Sequence, residues 1–209
     1  MLFIRTKHDL ATEYTFAWSE LILQEAEEKG ISVITIERED INFQNLSKRI
    51  DKVRPKFIFF NGHGGKDCFY DNKSNVLIDL KTCLLLKNTI TFARSCETLA
   101  ELGPEAVKMG CRAFVGYGQK FLVPRWHVKT CKPLQDPVAK PIMECSNLVA
   151  GEIIQGKSVA EAVEKSHLEM TRTAEKYIYS SDPHASAILF ALVNNDLALG
   201  FCGDENAVF

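Results

Sequence analysis

Two short apolar runs, each broken off by a polar segment, constrain this chain more than any other feature. Phe57-Ile58-Phe59-Phe60 stops at Asn61-Gly62-His63-Gly64-Gly65, and Thr89-Ile90-Thr91-Phe92-Ala93 stops at Arg94-Ser95-Cys96-Glu97. Aromatic and β-branched runs of this length, bounded by glycine or polar residues, read as buried parallel strands. In an open α/β sheet, ligands sit in the crevice beyond the carboxyl ends of the strands. Two neighbouring strands would then deliver His63 and Cys96 to one edge. A histidine and a cysteine held together are the minimum parts of a thiol nucleophile with its acid/base.

The remaining residues point to an α/β domain. Leu2–Arg5 reads as a first strand, Thr15–Lys29 as a helix stopped by Gly30, and Ile31–Ile36 as a second strand. Asn42–Val53 follows as a helix ending before Pro55. This β-α-β-α-β alternation implies a mainly parallel sheet with right-handed crossovers. Cys68–Tyr70 and Val76–Ile78, separated by Asp71-Asn72-Lys73-Ser74-Asn75, read as a small hairpin beside the site. Glu97–Met109 reads as a helix starting at Cys96 and interrupted at Pro104, and Arg112–Gly116 as a fifth strand. Residues 117–141, with four prolines and no periodicity, form a long loop of the kind that is functional or mobile. Ile142–Gln155 and Val159–Tyr179 are helices, the second capped by Ser158 with Glu161. Ala187–Val193 and Leu197–Cys202, split by Asn194-Asn195-Asp196, read as a terminal strand hairpin. With 209 residues and no repeat or linker, a single domain over residues 1–209 is expected.

Charge and cysteine usage narrow the classes. A net charge of −2 with 25% charged residues gives no basic excess for nucleic acid. No window approaches the ~18 uncharged apolar residues of a membrane helix. Charge at Arg5 and Lys7 comes too early for a signal peptide's apolar core. The seven scattered cysteines lack any Cys-x-x-Cys pair, so reduced thiols and a cytoplasmic location are expected. His8, His127 and Cys131 have no supported metal spacing, and no metal or cofactor is expected. The basic residues between Lys120 and Lys132 read as a solvated loop, and Gly62-x-Gly64-Gly65 lacks the spacing of a phosphate loop.

The residue types at the two breaks fit acyl transfer. A cysteine between a strand and a helix N-terminus gains stabilisation of its thiolate. The Cys96 amide would hold an oxyanion, with Gly64 as a second donor, since glycine lets a carbonyl approach the backbone closely. His63 would protonate the leaving amine and then assist the hydrolytic water. Singly, His63 reads as part of a glycine-rich turn and Cys96 as a buried thiol. Their joint placement at the ends of consecutive core strands favours the functional reading.

These motifs, an apolar strand ending in x-Gly-His-Gly and another ending in x-Ser-Cys-x, resemble those of the caspase-like cysteine peptidases. The segment Ile90–Ala100 followed by Cys111–Tyr117 is closest to the CHAT-domain and gingipain-type branches, and the likeness spans roughly residues 1–120. The Gln-Ala-Cys-x-Gly signature of caspases proper is absent, and the His-to-Cys separation is 96 − 63 = 33 rather than about 50. The resemblance implies a three-layer α-β-α fold and a metal-free cysteine endopeptidase acting on protein or peptide substrates through an acyl-enzyme on Cys96. It also implies a substrate pocket built in part by the residue two before the cysteine. Arg94 there would suit an acidic P1 side chain, ranked ahead of a basic P1 held by Asp9; alternatively Arg94 and Asp9 pair with each other. A loop cleaved near Arg125 or Lys129 and a regulatory protein partner belong to the same expectation. A catalytically silent binding or scaffold module is the alternative, and a different thiol hydrolase or acyltransferase a third reading.

Overall fold

Every backbone group inside a sheet must find a partner, and here six strands supply them. The computed structural model describes residues 1–209. In chain order the elements are β1 (Leu2–Arg5), α1 (Leu10–Glu28), β2 (Ile34–Glu37), α2 (Phe43–Val53), β3 (Phe57–Asn61), β4 (Cys68–Tyr70), β5 (Val76–Asp79), β6 (Ile90–Arg94), α3 (Leu102–Lys108), β7 (Ala113–Tyr117), α4 (Lys140–Ile154), α5 (Val159–Ile178), α6 (Ala185–Ala198) and β8 (Leu199–Gly203). The central sheet has the order β2-β1-β3-β6-β7-β8, with β8 antiparallel and the other pairs parallel. β4 and β5 form the separate hairpin expected from the sequence.

Strand side chains alternate between faces, and both faces are apolar. Phe57 and Phe59 of β3 join Phe92 and the helices α1, α4, α5 and α6 in the larger core. Ile58 and Phe60 face the other way, into a second core with α2, α3 and the hairpin. The result is the expected three-layer α-β-α architecture. Its continuous aromatic runs are what a sheet covered on both sides requires.

Two expectations are corrected. Residues 185–198 are a helix rather than the first half of a terminal hairpin. Alanine and leucine favour helix there, and Asn195 is no turn residue: it is buried, accepting from the Leu122 N–H (2.8 Å) and donating to the Leu122 carbonyl (2.8 Å). The chain also turns sharply after Cys96 instead of entering a helix. Glu97 lies in the left-handed region (φ 60), and α3 starts only at Leu102, with Pro104 in its first turn. Cys96 therefore sits at a tight turn, without a helix N-terminus.

Smaller shifts have local causes. α1 starts at Leu10 rather than Thr15, because Asp9 and Thr12 form a capping box: the Thr12 amide donates to Asp9 Oδ1 (2.8 Å) and the Asp9 amide to Thr12 Oγ1 (3.0 Å). The second strand is later and shorter than expected, Ile34–Glu37. The Ser158–Glu161 capping box is present as expected. The loop after β7 is held at Asp136, a buried carboxylate that accepts from Tyr14 Oη (2.6 Å) and from the amides of Trp126 and Val138 (2.9 Å each). No helix is long and apolar enough to cross a membrane.

Candidate active site

β3 and β6 are adjacent and in register, with Asn61 opposite Arg94, so the two segments that follow them leave the sheet at the same edge. The His63 segment is braced from the side by the hairpin. Gly65 N–H donates to the Cys68 carbonyl (2.9 Å), Tyr70 N–H donates to the His63 carbonyl (3.1 Å), and Phe69 stacks on Phe60 at 4.1 Å.

Glycine is required where this segment meets the cysteine turn. A Cβ on Gly64 would come within 2.5 Å of the Thr98 methyl and 3.0 Å of the Cys96 carbonyl. At Gly65 the closest approach would be an ordinary 3.4 Å. Gly64→Ala is thus expected to destabilise the fold by roughly 1–3 kcal/mol, as overpacking does, and Gly65→Ala to be near neutral. Paired thermal melts check this; equal melting temperatures would mean that the 63–65 segment moves freely against Thr98. The Gly64 and Cys96 amides, the expected oxyanion donors, donate to no acceptor within the protein.

His63 is not paired with Cys96 but with Asp9, whose Oδ2 lies 2.6 Å from His63 Nε2. Partial burial works against the Asp9 carboxylate, yet the Thr12 amide, His63 and the Thr12 hydroxyl together hold its pKa at about 2. Asp9 is therefore an anion at any working pH and occupies Nε2, leaving Nδ1 as the ring nitrogen free for chemistry. Asp9 and Arg94 do not pair. The Asp9 link to His63 escaped the sequence reading. Its one cue was Asp9-x-x-Thr12, the capping box that fixes this carboxylate at the end of β1.

Cys96 is half-buried. Burial pushes its thiol pKa up, the Phe121 amide and Lys120 opposing this and Glu97 adding to it. No hydrogen bond joins it to His63, but the two line one cavity of about 240 Å³. Gly62, Ser95 and Arg94 form further parts of its wall, with Ala11 and Thr15 from α1 and Phe121, Leu122, Val123 and Arg125 from the loop after β7. A larger cavity of about 870 Å³ opens at the opposite ends of the strands, near Lys56 and Thr89, and contains no such pair. Chemistry, not volume, selects the smaller one.

Arg94 is completely buried. Its Nε donates to Asn61 Oδ1 (2.8 Å), Nη1 to Asn147 Oδ1 (2.5 Å) and Nη2 to the Thr15 carbonyl (3.2 Å), with Phe59 beneath the guanidinium at 5.1 Å. No carboxylate neutralises it, and burial lowers its pKa to about 9. Arg125 adds a second guanidinium to the cavity wall, which includes no Asp or Glu. From the sequence, Arg125 reads as a solvated loop residue and a cleavage point, not as part of a pocket. The seven cysteines are all free, and His127 and Cys131 join no metal-ligating cluster.

No family model and no curated protein matches the sequence. Two solved structures are similar in fold. One is the Arg-specific cysteine proteinase gingipain R (RgpB), with TM-score 0.63 and 11% identity over 99% of this chain and 46% of that one. The other is a complex of the pro- and mature domains of RgpB from Porphyromonas gingivalis, with TM-score 0.63 and 10% identity over 98% of this chain and 47% of that one. The chain spans about half the length of these structures. The fold built here from six strands and six helices is that of the caspase-like cysteine proteinases.

Proposed function

We propose that this chain is a cysteine endopeptidase that cleaves after acidic residues. One observation carries the reading: His63, held by the anionic Asp9, shares a small, cation-lined cavity with Cys96. Cys96 Sγ gives its proton to His63 and attacks the scissile carbonyl carbon, and the oxyanion is held by the Cys96 and Gly64 amides. His63 delivers a proton to the departing amine nitrogen, leaving a thioester on Cys96. Water, deprotonated by His63, then releases the acid and the free thiol. Arg94 and Arg125 supply positive charge for the P1 carboxylate, and a carboxylate entering the cavity would compensate a buried cation that now has only neutral partners. Asp9, engaged with His63, is assigned the positioning of that ring rather than binding of a basic P1. Gingipain R is an Arg-specific enzyme; two arginines and no acid around this cavity support the opposite preference here.

The raised thiol pKa and the loop residues 121–125 over the cavity favour a resting state opened by substrate or by a protein partner. They also favour the second reading, a caspase-like binding module without turnover. A peptide library varied at P1, incubated with the full chain and read by mass spectrometry, separates the two. Cleavage after Asp or Glu is expected; intact peptides throughout, with and without candidate partners, would leave the module.

Asp9 gives a sharper check on the dyad's support. Asp9→Asn keeps an N-cap of equal quality, so stability should change little, while kcat falls because Nε2 loses its anion. Asp9→Ala should show the same fall in kcat and, in addition, lose about 1 kcal/mol of stability. Wild-type kcat in Asp9→Asn would remove the positioning role.

A further inference from the structure

We propose that His8, Asp9 and His63 form a three-ligand site for a borderline divalent cation of the zinc class. The consequence drawn for activity rests on the peptidase reading above; the binding itself does not. One ligand atom from each of the three residues lies within 4.8 Å of the others. The His8 and His63 rings meet edge to face, with centroids 5.3 Å apart. Metal–nitrogen and metal–oxygen bonds of about 2.0–2.1 Å place neighbouring ligand atoms roughly 3.3 Å apart in a tetrahedral site. The Asp9–His63 pair at 2.6 Å opens slightly to admit the ion, and His8, an exposed side chain, swings in.

The donor set fits such an ion. Two imidazoles and one carboxylate suit zinc and its borderline neighbours better than magnesium or calcium, which take oxygen. Asp9 spends only Oδ1 on the helix cap, so Oδ2 remains for the metal. The site is reached from solvent and needs no cavity; water completes the coordination.

Binding has a defined effect on His63. The metal takes Nε2, the atom now facing Asp9, so the neutral ring keeps its hydrogen on Nδ1. A ring fixed in that tautomer cannot take a proton from water, and Asp9 is diverted to the ion. The cation therefore acts as a reversible brake on the chemistry assigned to Cys96, set by a residue, His8, that plays no part in that chemistry.

The test is zinc titration of the metal-stripped full chain by calorimetry, beside Cys96→Ala and His8→Ala. One ion per chain is expected in wild type and, with unchanged affinity, in Cys96→Ala; His8→Ala should bind at least tenfold more weakly. Cobalt in the same site should show visible bands without a thiolate charge-transfer band. Unchanged affinity in His8→Ala, lost affinity in Cys96→Ala, or a cobalt–thiolate band would overturn the site. In peptide assays, His8→Ala should keep its basal rate and escape inhibition by zinc that a chelator reverses in wild type. Inhibition that is equal in both would overturn the brake. If no peptide is cut but His8-dependent binding stands, the peptidase reading fails and the metal site does not.

Discussion

Cys96→Ala is expected to reduce peptide hydrolysis to background while leaving the fold intact. The thiol is half-buried and makes no hydrogen bond to His63, so replacing it removes a nucleophile and little packing. His63→Ala is expected to retain a residue of activity, lower by about 10²–10⁴, the usual share of a positioned acid/base. The order matters. A thiol whose pKa burial has raised is mostly protonated at neutral pH, so wild-type rates should rise with pH into the alkaline range. A profile flat above neutrality would instead mean that substrate converts the pair to thiolate and imidazolium on binding. Matched kcat and melting curves for the two variants check the assignment; Cys96→Ala at wild-type rate would end it.

The second large effect concerns charge. A substrate with P1 Asp should be cleaved at least ~30-fold better than its Asn counterpart, because truncating one side of a desolvated charged pair costs about 2–5 kcal/mol. Arg94→Gln should erase most of that preference, with the loss in kcat/KM confined to acidic substrates. Gln can still donate to Asn61 or Asn147, which limits damage to the tie between β3, β6 and α4. Arg125→Gln should do less, since that guanidinium is exposed and screened. If Arg94→Gln lowers cleavage of Asp and Asn substrates equally, Arg94 is a structural tie and not part of the P1 subsite.

What the sequence made legible follows from which signals are local. Phe57–Phe60 and Ile90–Ala93 are buried on both faces, so their apolar content alone fixes them as core strands, and the breaks after them place His63 and Cys96. The hairpin at 68–79 announces itself through Asp71, whose side chain accepts from the Lys73 and Asn75 amides. The Asp9–His63 contact, by contrast, joins residues 54 positions apart in the chain and exists only because β1 and β3 pair. Nothing local to Asp9 reveals it beyond the cap. The helix at 185–198 was hidden by Asn194-Asn195-Asp196, a turn-like triplet whose Asn195 serves a tertiary contact to Leu122. Tertiary pairing overrode local preference there. The missing helix at Cys96 has the same character: the Glu97 amide donates to the Gln119 carbonyl (3.0 Å), a contact from the segment just after β7 that no periodicity encodes.

The arrangement also separates two jobs that the sequence had placed on one side of the site. Asp9 and Arg94 were alternatives for one pocket. In the fold, Asp9 stands at the start of α1 and holds His63, while Arg94 closes β6 and lies on the cavity's inner wall. A positioned base beside a positively lined recess is a coherent combination for cutting after an acid.

The most direct measurement is intact-protein mass spectrometry after treatment with acyloxymethyl ketone peptides that differ only at P1: Asp, Asn, Lys and Arg. A single adduct on Cys96, formed fastest with P1 Asp, absent in Cys96→Ala and strongly slowed in His63→Ala, is the predicted result. Adducts scattered over exposed thiols such as Cys131, with no dependence on P1 or on His63, would contradict it.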